Sequence, residues 1–367
     1  MSFRLVKPYR KPGFHLFLRS PFTNFVRMKS YLNIGIVGLG KRGLATLRRY
    51  RHLSEQAHFV ALCDIQEQNC LEANLILSES GRDEAKVLSL DEMCQSTEID
   101  LVYVCTNWES HAEIAIKVLE CGKDVALEIP AATDLSDCQR LKEAAERSKG
   151  RVLMLENCCF DPFHLGMMGM VKAGILGEIS HLEGAYIHYL GERAAVGYAG
   201  NPYPTHGIGP ICQLLGDDKL VGISSINGGN SVSHSLLKTE KGRSVLLQFD
   251  ETTPRPYSRM QTLCGTKGFV QKYPLPTVQI ESEVYAGDKA LDYVSQYIDS
   301  AYQSLIDEGS AKGVENIMNY IMDRRVMDSL IHDEPFEISL DEALTWSSII
   351  SLSAQSALAD GQWINLK

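Results

Sequence analysis

The chain has 367 residues, of which 44% are hydrophobic and 22% charged, and its formal net charge is −10. This length exceeds the size at which one hydrophobic core keeps growing, so we expect two domains. The acidic balance argues against a nucleic-acid partner, because phosphate binding requires clustered lysine and arginine side chains. No apolar run approaches the roughly 20 residues that span a bilayer, which argues against a membrane protein.

The first 30 residues form a basic segment without a single acidic residue. Its apolar stretch, Phe14 to Leu18, is followed at once by Arg19 and Pro21 and is too short for a secretory signal. We therefore predict a loose basic extension over residues 1–30, or a natural start at Met28. A transit peptide is the alternative.

The ten cysteines show no C-x-x-C pair and no other spacing typical of zinc, so we predict no metal site. Many lie inside apolar runs such as Ala61–Cys63 and Tyr103–Cys105, where a thiol behaves as a small hydrophobe. Buried reduced cysteines indicate a reducing compartment, and the cytoplasm fits best.

Between residues 31 and 155, short β-branched runs alternate with amphipathic helical stretches. Strands are expected at residues 33–37, 59–63, 100–105, 124–128 and 152–155. Helices are expected at residues 43–52, 66–77, 110–120 and 135–147, the last capped by Asp134 or Ser136. Such alternation is typical of a parallel sheet with crossover helices. We predict an α/β chain whose N-terminal domain, residues 31–155, is a Rossmann fold.

A glycine-rich turn, Gly38 to Gly43, joins the first expected strand to the first helix. Its backbone N–H groups and the helix N-terminus can hold a pyrophosphate. Asp64 ends the second strand about 20 residues further on, where a carboxylate accepts from the adenosine ribose hydroxyls. That carboxylate favours NAD, whereas the two basic residues of the turn keep NADP as an alternative. The predicted cofactor residues are Gly38, Gly40, Lys41, Arg42, Gly43 and Asp64.

Beyond residue 155 the alternating segments become longer, at residues 179–189, 221–226, 244–249 and 262–269. Helices are expected at residues 313–328 and 340–359. We predict a C-terminal α+β domain, residues 156–367, with a large, mostly antiparallel open sheet. An exposed sheet face is a liability in a monomer, so we expect a homo-oligomer assembled through this sheet.

Two strings in the second half of the first domain, Val104 to His111 and Cys121 to Pro130, resemble the Gfo/Idh/MocA oxidoreductase family. The resemblance covers roughly residues 31 to 360. It implies that the Thr-Asn turn lies along the nicotinamide ribose and that the Glu-x-Pro stretch passes beneath the ring. The additional cofactor residues implied are Thr106, Asn107, Trp108, His111 and Glu128. Without the resemblance, His111 is more often a helix-end residue.

One departure from that family bears on mechanism. The family usually reads Glu-Lys-Pro, and the lysine serves near the reacting hydroxyl, whereas this chain has Ile129. An isoleucine neither donates nor accepts a proton, so another residue must do the acid–base work.

Five separated segments resemble a branch of the same superfamily, glycoside hydrolase family 109, which uses NAD to cleave N-acetylgalactosaminides. They are Glu128 to Ala132, Glu156 to Phe160, Glu183 to His188, Tyr203 to Pro210 and Pro254 to Arg259. The first of them lacks the lysine, as that branch also does.

The resemblance implies a cycle in which NAD takes a hydride from carbon 3 of a sugar and the carbon 2 proton becomes acidic. The carbon 1 group then leaves, water adds, and the hydride returns. His206 would take the carbon 3 hydroxyl proton, and Tyr186 would assist at carbon 2 if its pKa were lowered. Glu156 would bind sugar hydroxyls and Tyr203 would shape the pocket. Taken alone, His206 reads as a residue of a Pro/Gly-rich loop, Tyr186 as core, and Cys158 as packing.

Two departures leave the substrate open. The connection from Tyr186 to Tyr203 is shorter than the family's, and Val314 to Ile317 replace its Gly-His-Gly-Gly segment. N-acetylgalactosamine is therefore not assumed. Three functions remain: a glycosidase that returns the hydride, a net sugar or polyol dehydrogenase, and a non-enzymatic NAD-binding sensor.

Overall fold

The computed structural model describes residues 29–194, 196–229 and 232–366. The predicted basic extension therefore lies outside the described residues up to position 28. No helix in the described ranges has both the length and the apolar character needed to cross a lipid bilayer.

The first sheet has six parallel strands in the order β3-β2-β1-β4-β5-β6. The strands are β1 (Leu32–Val37), β2 (Ala57–Cys63), β3 (Lys86–Val87), β4 (Leu101–Val104), β5 (Asp124–Leu127) and β6 (Val152–Met154). The crossover helices are α1 (Lys41–Arg49), α2 (Glu67–Glu79), α3 (Leu90–Gln95), α4 (Trp108–Glu120) and α5 (Leu135–Arg147). The predicted Rossmann fold is confirmed, and Asp134 caps α5 by accepting from the Asp137 N–H.

The strand order reverses between β1 and β4, and at such a point the loops leaving the two strands open a crevice that binds ligands. The residues after β1 form the glycine-rich turn, and those after β4 form the Thr106–Asn107 turn. Both predicted cofactor segments therefore border one crevice.

The second sheet has nine strands in the order β14-β13-β12-β11-β7-β10-β9-β8-β15. The strands are β7 (Ile179–Ile187), β8 (Leu220–Asn227), β9 (Val232–Thr239), β10 (Ser244–Asp250), β11 (Thr262–Gly265), β12 (Gly268–Gln271), β13 (Thr277–Ile280), β14 (Glu283–Ala286) and β15 (Ile364–Asn365). Among the strand pairs of the described residues, β7 with β10 is parallel and the others are antiparallel. The mostly antiparallel sheet is thus confirmed. The single strand expected over 262–269 is wrong, because the chain turns at Thr266 and Lys267 to form a hairpin.

The described part of the chain holds six further α-helices after the first sheet. They are α6 (Pro162–Lys172), α7 (Thr205–Leu215), α8 (Asp288–Ser295), α9 (Ser300–Ala311), α10 (Ile317–Ile331) and α11 (Leu340–Leu358). Helix α11 packs against α5 and β6 of the first sheet and against β8 of the second. The Ala131 N–H donates to Ser347 Oγ of α11 over 3.0 Å, and Arg49 of α1 pairs with buried Asp323 of α10 at 2.9 Å. These contacts fix the cofactor crevice against the second sheet.

Candidate active site

The three glycines of the turn have different tasks. Gly38 has a φ of +86°, and a Cβ on it would lie 2.7 Å from the backbone of Cys105. A Cβ on Gly43 would collide with the Gly38 carbonyl oxygen, whereas a Cβ on Gly40 would meet nothing within 4 Å. Gly38 and Gly43 therefore keep the turn close to the sheet and to α1, and Gly40 leaves open space at the N-terminus of α1. A dinucleotide pyrophosphate fits that space.

Asp64 lies at the end of β2, beside the glycine turn. Its Oδ2 accepts from the Leu39 N–H at 2.5 Å, and its Oδ1 accepts from the Gln66 N–H at 2.8 Å and from the Asn69 amide at 3.1 Å. The carboxylate is thus held at the end of β2 by the turn itself. The residues present fit an adenosine ribose, as the sequence predicts.

The glycine roles give a testable contrast. We expect Gly40→Ala to fold normally but to bind NAD at least about tenfold more weakly, because the methyl group enters the pyrophosphate space. The matched variant Gly43→Ala should instead lower the free energy of unfolding by about 1–3 kcal/mol, because its methyl group meets a backbone carbonyl. Calorimetric NAD binding and urea unfolding measure the two effects. Equal loss of stability in both variants would contradict these roles.

His111 ties the two nicotinamide-side loops together. Its Nδ1 lies 2.8 Å from the Pro130 carbonyl oxygen, its Nε2 lies 3.2 Å from the Thr106 carbonyl oxygen, and the side chain is buried. Burial lowers the pKa of His111, so the ring is neutral and donates to one carbonyl at a time. Its direct contact with a cofactor stays a prediction, while its observed contacts position both loops.

Glu128 and Arg42 face each other across the crevice. The Arg42 guanidinium lies 3.6 Å from the Glu128 carboxylate, which is almost fully buried. Asn107 begins α4, and Trp108 points its ring to within 5.5 Å of the Tyr203 ring. Ile129, next to Glu128, is buried and brings no titratable group to the crevice.

Glu156 and His206 form a buried hydrogen-bonded pair. His206 Nδ1 lies 2.7 Å from Glu156 Oε1 and 3.0 Å from Oε2, and Glu156 Oε1 also accepts from the Cys158 N–H at 3.0 Å. Glu156 is fully buried, and the His206 side chain is 13% exposed. The direct sugar contact predicted for Glu156 stays a prediction, while its observed partner is the His206 ring.

His206 lies in the first turn of α7, so its assignment to a loop is wrong. Glycines and a proline normally weaken a helix, but here the glycines allow α7 to pack closely on β7. A Cβ on Gly207 would lie 3.0 Å from the Ala185 backbone nitrogen and 2.5 Å from the Leu247 side chain. This close packing brings His206 beside Tyr186.

The resting pair is a carboxylate–imidazolium ion pair. Burial would lower the pKa of His206, but the neighbouring Cys158 and Glu156 outweigh it and raise the pKa to about 10. Burial would raise the pKa of Glu156, but His206 outweighs it and lowers the pKa. The imidazole must therefore lose its proton before Nε2 can accept one from a sugar.

Aromatic rings surround the free edge of His206. The Tyr186 ring lies 4.5 Å from the Tyr203 ring and 5.6 Å from His206, and the Tyr203 hydroxyl lies 3.4 Å from His206 Nε2. The structure thus brings His206, Tyr186, Glu156 and Tyr203 together. Burial raises the pKa of Tyr186 to about 12, the opposite of the direction that its expected role required.

Sequence reasoning missed two residues of this cluster. The Tyr186 hydroxyl lies 3.0 Å from His188 Nδ1, and the His188 ring packs edge-on against Tyr257 at 5.3 Å. The period-two alternation of β7 places Tyr186 and His188 on one face, and this signal could have identified His188. Tyr257 lies in a loop, where no periodicity indicates its neighbours.

Comparisons with known proteins agree with this fold. Residues 32–156 match the oxidoreductase family with an NAD-binding Rossmann fold, and residues 225–366 match the C-terminal domain of glycosyl hydrolase 109. Levoglucosan dehydrogenase, solved with NADH and L-sorbose, covers 92% of this chain and 100% of its own with a TM-score of 0.77 and 16% identity, a likeness that shows the fold. Fold and site define an NAD-dependent enzyme of the oxidoreductase type.

Full-length relatives narrow this class. Glycosyl hydrolase family 109 protein 2 of Phocaeicola vulgatus is 42% identical over 89% of this chain and 91% of its own. Alpha-N-acetylgalactosaminidase of Bacteroides fragilis is 36% identical over 89% of each chain. The chain belongs to glycosyl hydrolase family 109.

Proposed function

We propose that the chain is an NAD-dependent glycosidase that oxidises its sugar at carbon 3 transiently and returns the hydride. The observation that carries the proposal is the Glu156–His206 pair, which supplies an acid–base group in a chain that has Ile129 where the larger family usually has lysine. Bound NAD supplies the hydride acceptor and donor at carbon 3. Once the imidazolium has released its Nε2 proton to solvent, His206 Nε2 receives the carbon 3 hydroxyl proton, and Glu156 holds the ring through Nδ1.

Tyr186 and His188 act together at carbon 2. A carbonyl at carbon 3 acidifies the carbon 2 hydrogen, so a base there permits the carbon 1 substituent to leave. Water then adds at carbon 1 and carbon 2 regains a proton before the hydride returns. Because burial raises its pKa, Tyr186 is a poor base alone. His188 Nδ1 lies 3.0 Å from the Tyr186 hydroxyl and can take up the hydroxyl proton while the oxygen accepts the carbon 2 proton. Tyr203 and Trp108 exclude water from one side of the sugar.

The reaction type is tested with nitrophenyl glycosides, α-N-acetylgalactosaminide first and a panel of other sugars next. The proposal predicts nitrophenol release without stoichiometric reduced nicotinamide. Accumulation of reduced nicotinamide with free sugars would instead support a net dehydrogenase. Inactivity on the whole panel would contradict the glycosidase.

Tyr186→Phe tests the carbon 2 base. We expect kcat to fall by about 100-fold or more, with NAD affinity unchanged, because the ring remains and only the proton-carrying hydroxyl is lost. Tyr189→Phe is the matched control, since Tyr189 follows the same strand but is 49% exposed. Similar kcat values for the two variants would remove Tyr186 from the mechanism.

We also propose a cytoplasmic homo-oligomer assembled through the outward face of the second sheet. Large apolar side chains on this face are exposed, namely Ile226, Leu236 and Val284. Sedimentation at micromolar concentration tests the assembly, and a monomer would contradict it.

All ten cysteines are free thiols, which supports a reducing compartment.

A further inference from the structure

Among the described residues, Glu156, Cys158 and His206 bring three kinds of metal-ligand atom together. A carboxylate oxygen, the Cys158 Sγ and a ring nitrogen of His206 all lie within 4.8 Å of one another. These are ligand types of Zn²⁺, and three protein ligands with a fourth position for a small molecule are typical of open rather than closed zinc sites. We propose that this cluster binds one soft divalent cation of the Zn²⁺ class.

The ligand atoms are already close to a binding arrangement. Glu156 Oε1 accepts from the Cys158 N–H at 3.0 Å, so the carboxylate and the thiol are fixed by one short turn, Asn157–Phe160. His206 Nδ1 points at the same carboxylate from 2.7 Å. A cation can therefore take the place of the proton between Nδ1 and Glu156.

The charges of the cluster favour a divalent cation. With Cys158 as thiolate, Glu156 and Cys158 contribute two negative charges beside a neutral imidazole, and Glu156 and Cys158 are buried. A divalent cation balances these charges, which buried groups require. Sulfur and imidazole ligands select Zn²⁺ over the oxygen-seeking Mg²⁺ and Ca²⁺. The sequence shows no zinc-type spacing at this site, because only the fold brings His206 close to Glu156 and Cys158.

Occupancy has a chemical consequence for the ring. Metal binding releases the protons of the thiol and of Nδ1 to solvent, because ligands bind deprotonated. An imidazole with a metal on Nδ1 carries its proton on Nε2, so Nε2 donates and no longer accepts. Metal occupancy and sugar turnover therefore exclude each other, a consequence that rests on the proposed function, whereas the binding itself does not.

The test is a Co²⁺ titration of the NAD-loaded, chelator-treated protein, followed by displacement with Zn²⁺. We expect one Co²⁺ per chain, a thiolate-to-cobalt charge-transfer band and release of protons. Cys158→Ser should abolish the band and weaken Zn²⁺ binding at least about tenfold. The matched variant Cys159→Ser should keep both, because Cys159 is equally buried but outside the cluster. A band that persists in Cys158→Ser, for example from exposed Cys121, would overturn the site.

Circular dichroism and NAD binding verify that each variant is folded. If Cys158→Ser does not fold, Glu156→Gln replaces it, and we expect that variant to weaken Zn²⁺ binding similarly. The two proposals fail separately. A Cys158-dependent band in a protein without glycosidase activity leaves the metal site standing and contradicts the proposed function. An active glycosidase that neither binds Zn²⁺ nor is inhibited by it would support the proposed function and overturn the metal site.

Discussion

Replacement of His206 by alanine is expected to lower kcat by about 10²- to 10⁴-fold, the range that a positioned acid–base group contributes. His206 is the acid–base group of the cluster, its Nε2 lies 3.4 Å from the Tyr203 hydroxyl, and Ile129 supplies no substitute. NAD affinity should stay within about twofold, because the residues predicted to bind the pyrophosphate and the ribose, the glycine turn and Asp64, do not contact His206. Steady-state kinetics and calorimetric NAD binding separate the two effects.

His181→Ala is the matched control for this variant. His181 lies on the outward face of β7, where its ring contacts Ser244 and Glu183 rather than the cluster. Its kcat should equal that of the wild type. The kcat of Glu156→Gln should lie between those of His206→Ala and His181→Ala, because the His206 ring keeps a hydrogen-bond partner but loses the carboxylate charge that orients its proton. A His206→Ala variant with wild-type kcat would remove the ring from the chemistry.

The largest loss of stability is expected for Asp161→Asn. The Asp161 carboxylate caps α6 and accepts at one oxygen from buried Arg259 and from Lys272, each at 2.5 Å. Without its charge, two cations in a buried site lose their counter-ion, which typically lowers the free energy of unfolding by about 3–5 kcal/mol. Urea unfolding measures the loss. The control, Asp341→Asn, breaks an exposed pair with Lys142 and should change stability by about 0–1 kcal/mol.

The same carboxylate gives a pH dependence. Burial would raise the pKa of Asp161, but Arg259 and Lys272 outweigh it and hold the pKa far below its usual value. A carboxylate with a lowered pKa in the folded state stabilises the protein above its unfolded pKa of about 4, and this contribution is lost as the pH falls below that value. The stability gap between wild type and Asp161→Asn should therefore narrow below about pH 4. A constant gap would contradict the ion-pair account.

The cofactor domain was predictable because its signals are local. Strand and helix periodicity, the glycine turn and Asp64 lie within short stretches whose structure follows from their own residues. The short β3 and α3 were missed, since two strand residues and six helical residues carry no recognisable period. Helix α7 was missed because its glycines and Pro210 suggest a loop, although their small size is what admits the helix against β7.

The site was predictable only through resemblance. Glu156 and His206 are 50 residues apart, and no spacing rule places a carboxylate of one turn on Nδ1 of a distant helix. Their hydrogen bond, the raised pKa of Tyr186 and the position of Cys158 depend on how α7 packs on the second sheet. The same packing revises two expectations, since Tyr186 needs His188 as a partner and Cys158 lies among functional groups.

The most direct test of transient oxidation is to let the enzyme cleave an accepted glycoside in D₂O and to locate deuterium in the released sugar by NMR. We expect deuterium at carbon 2, because the base there exchanges with solvent, and retained hydrogen at carbon 3, because the hydride returns without entering water. Released sugar that carries hydrogen at carbon 2, formed at the full rate of cleavage, would contradict transient oxidation at carbon 3.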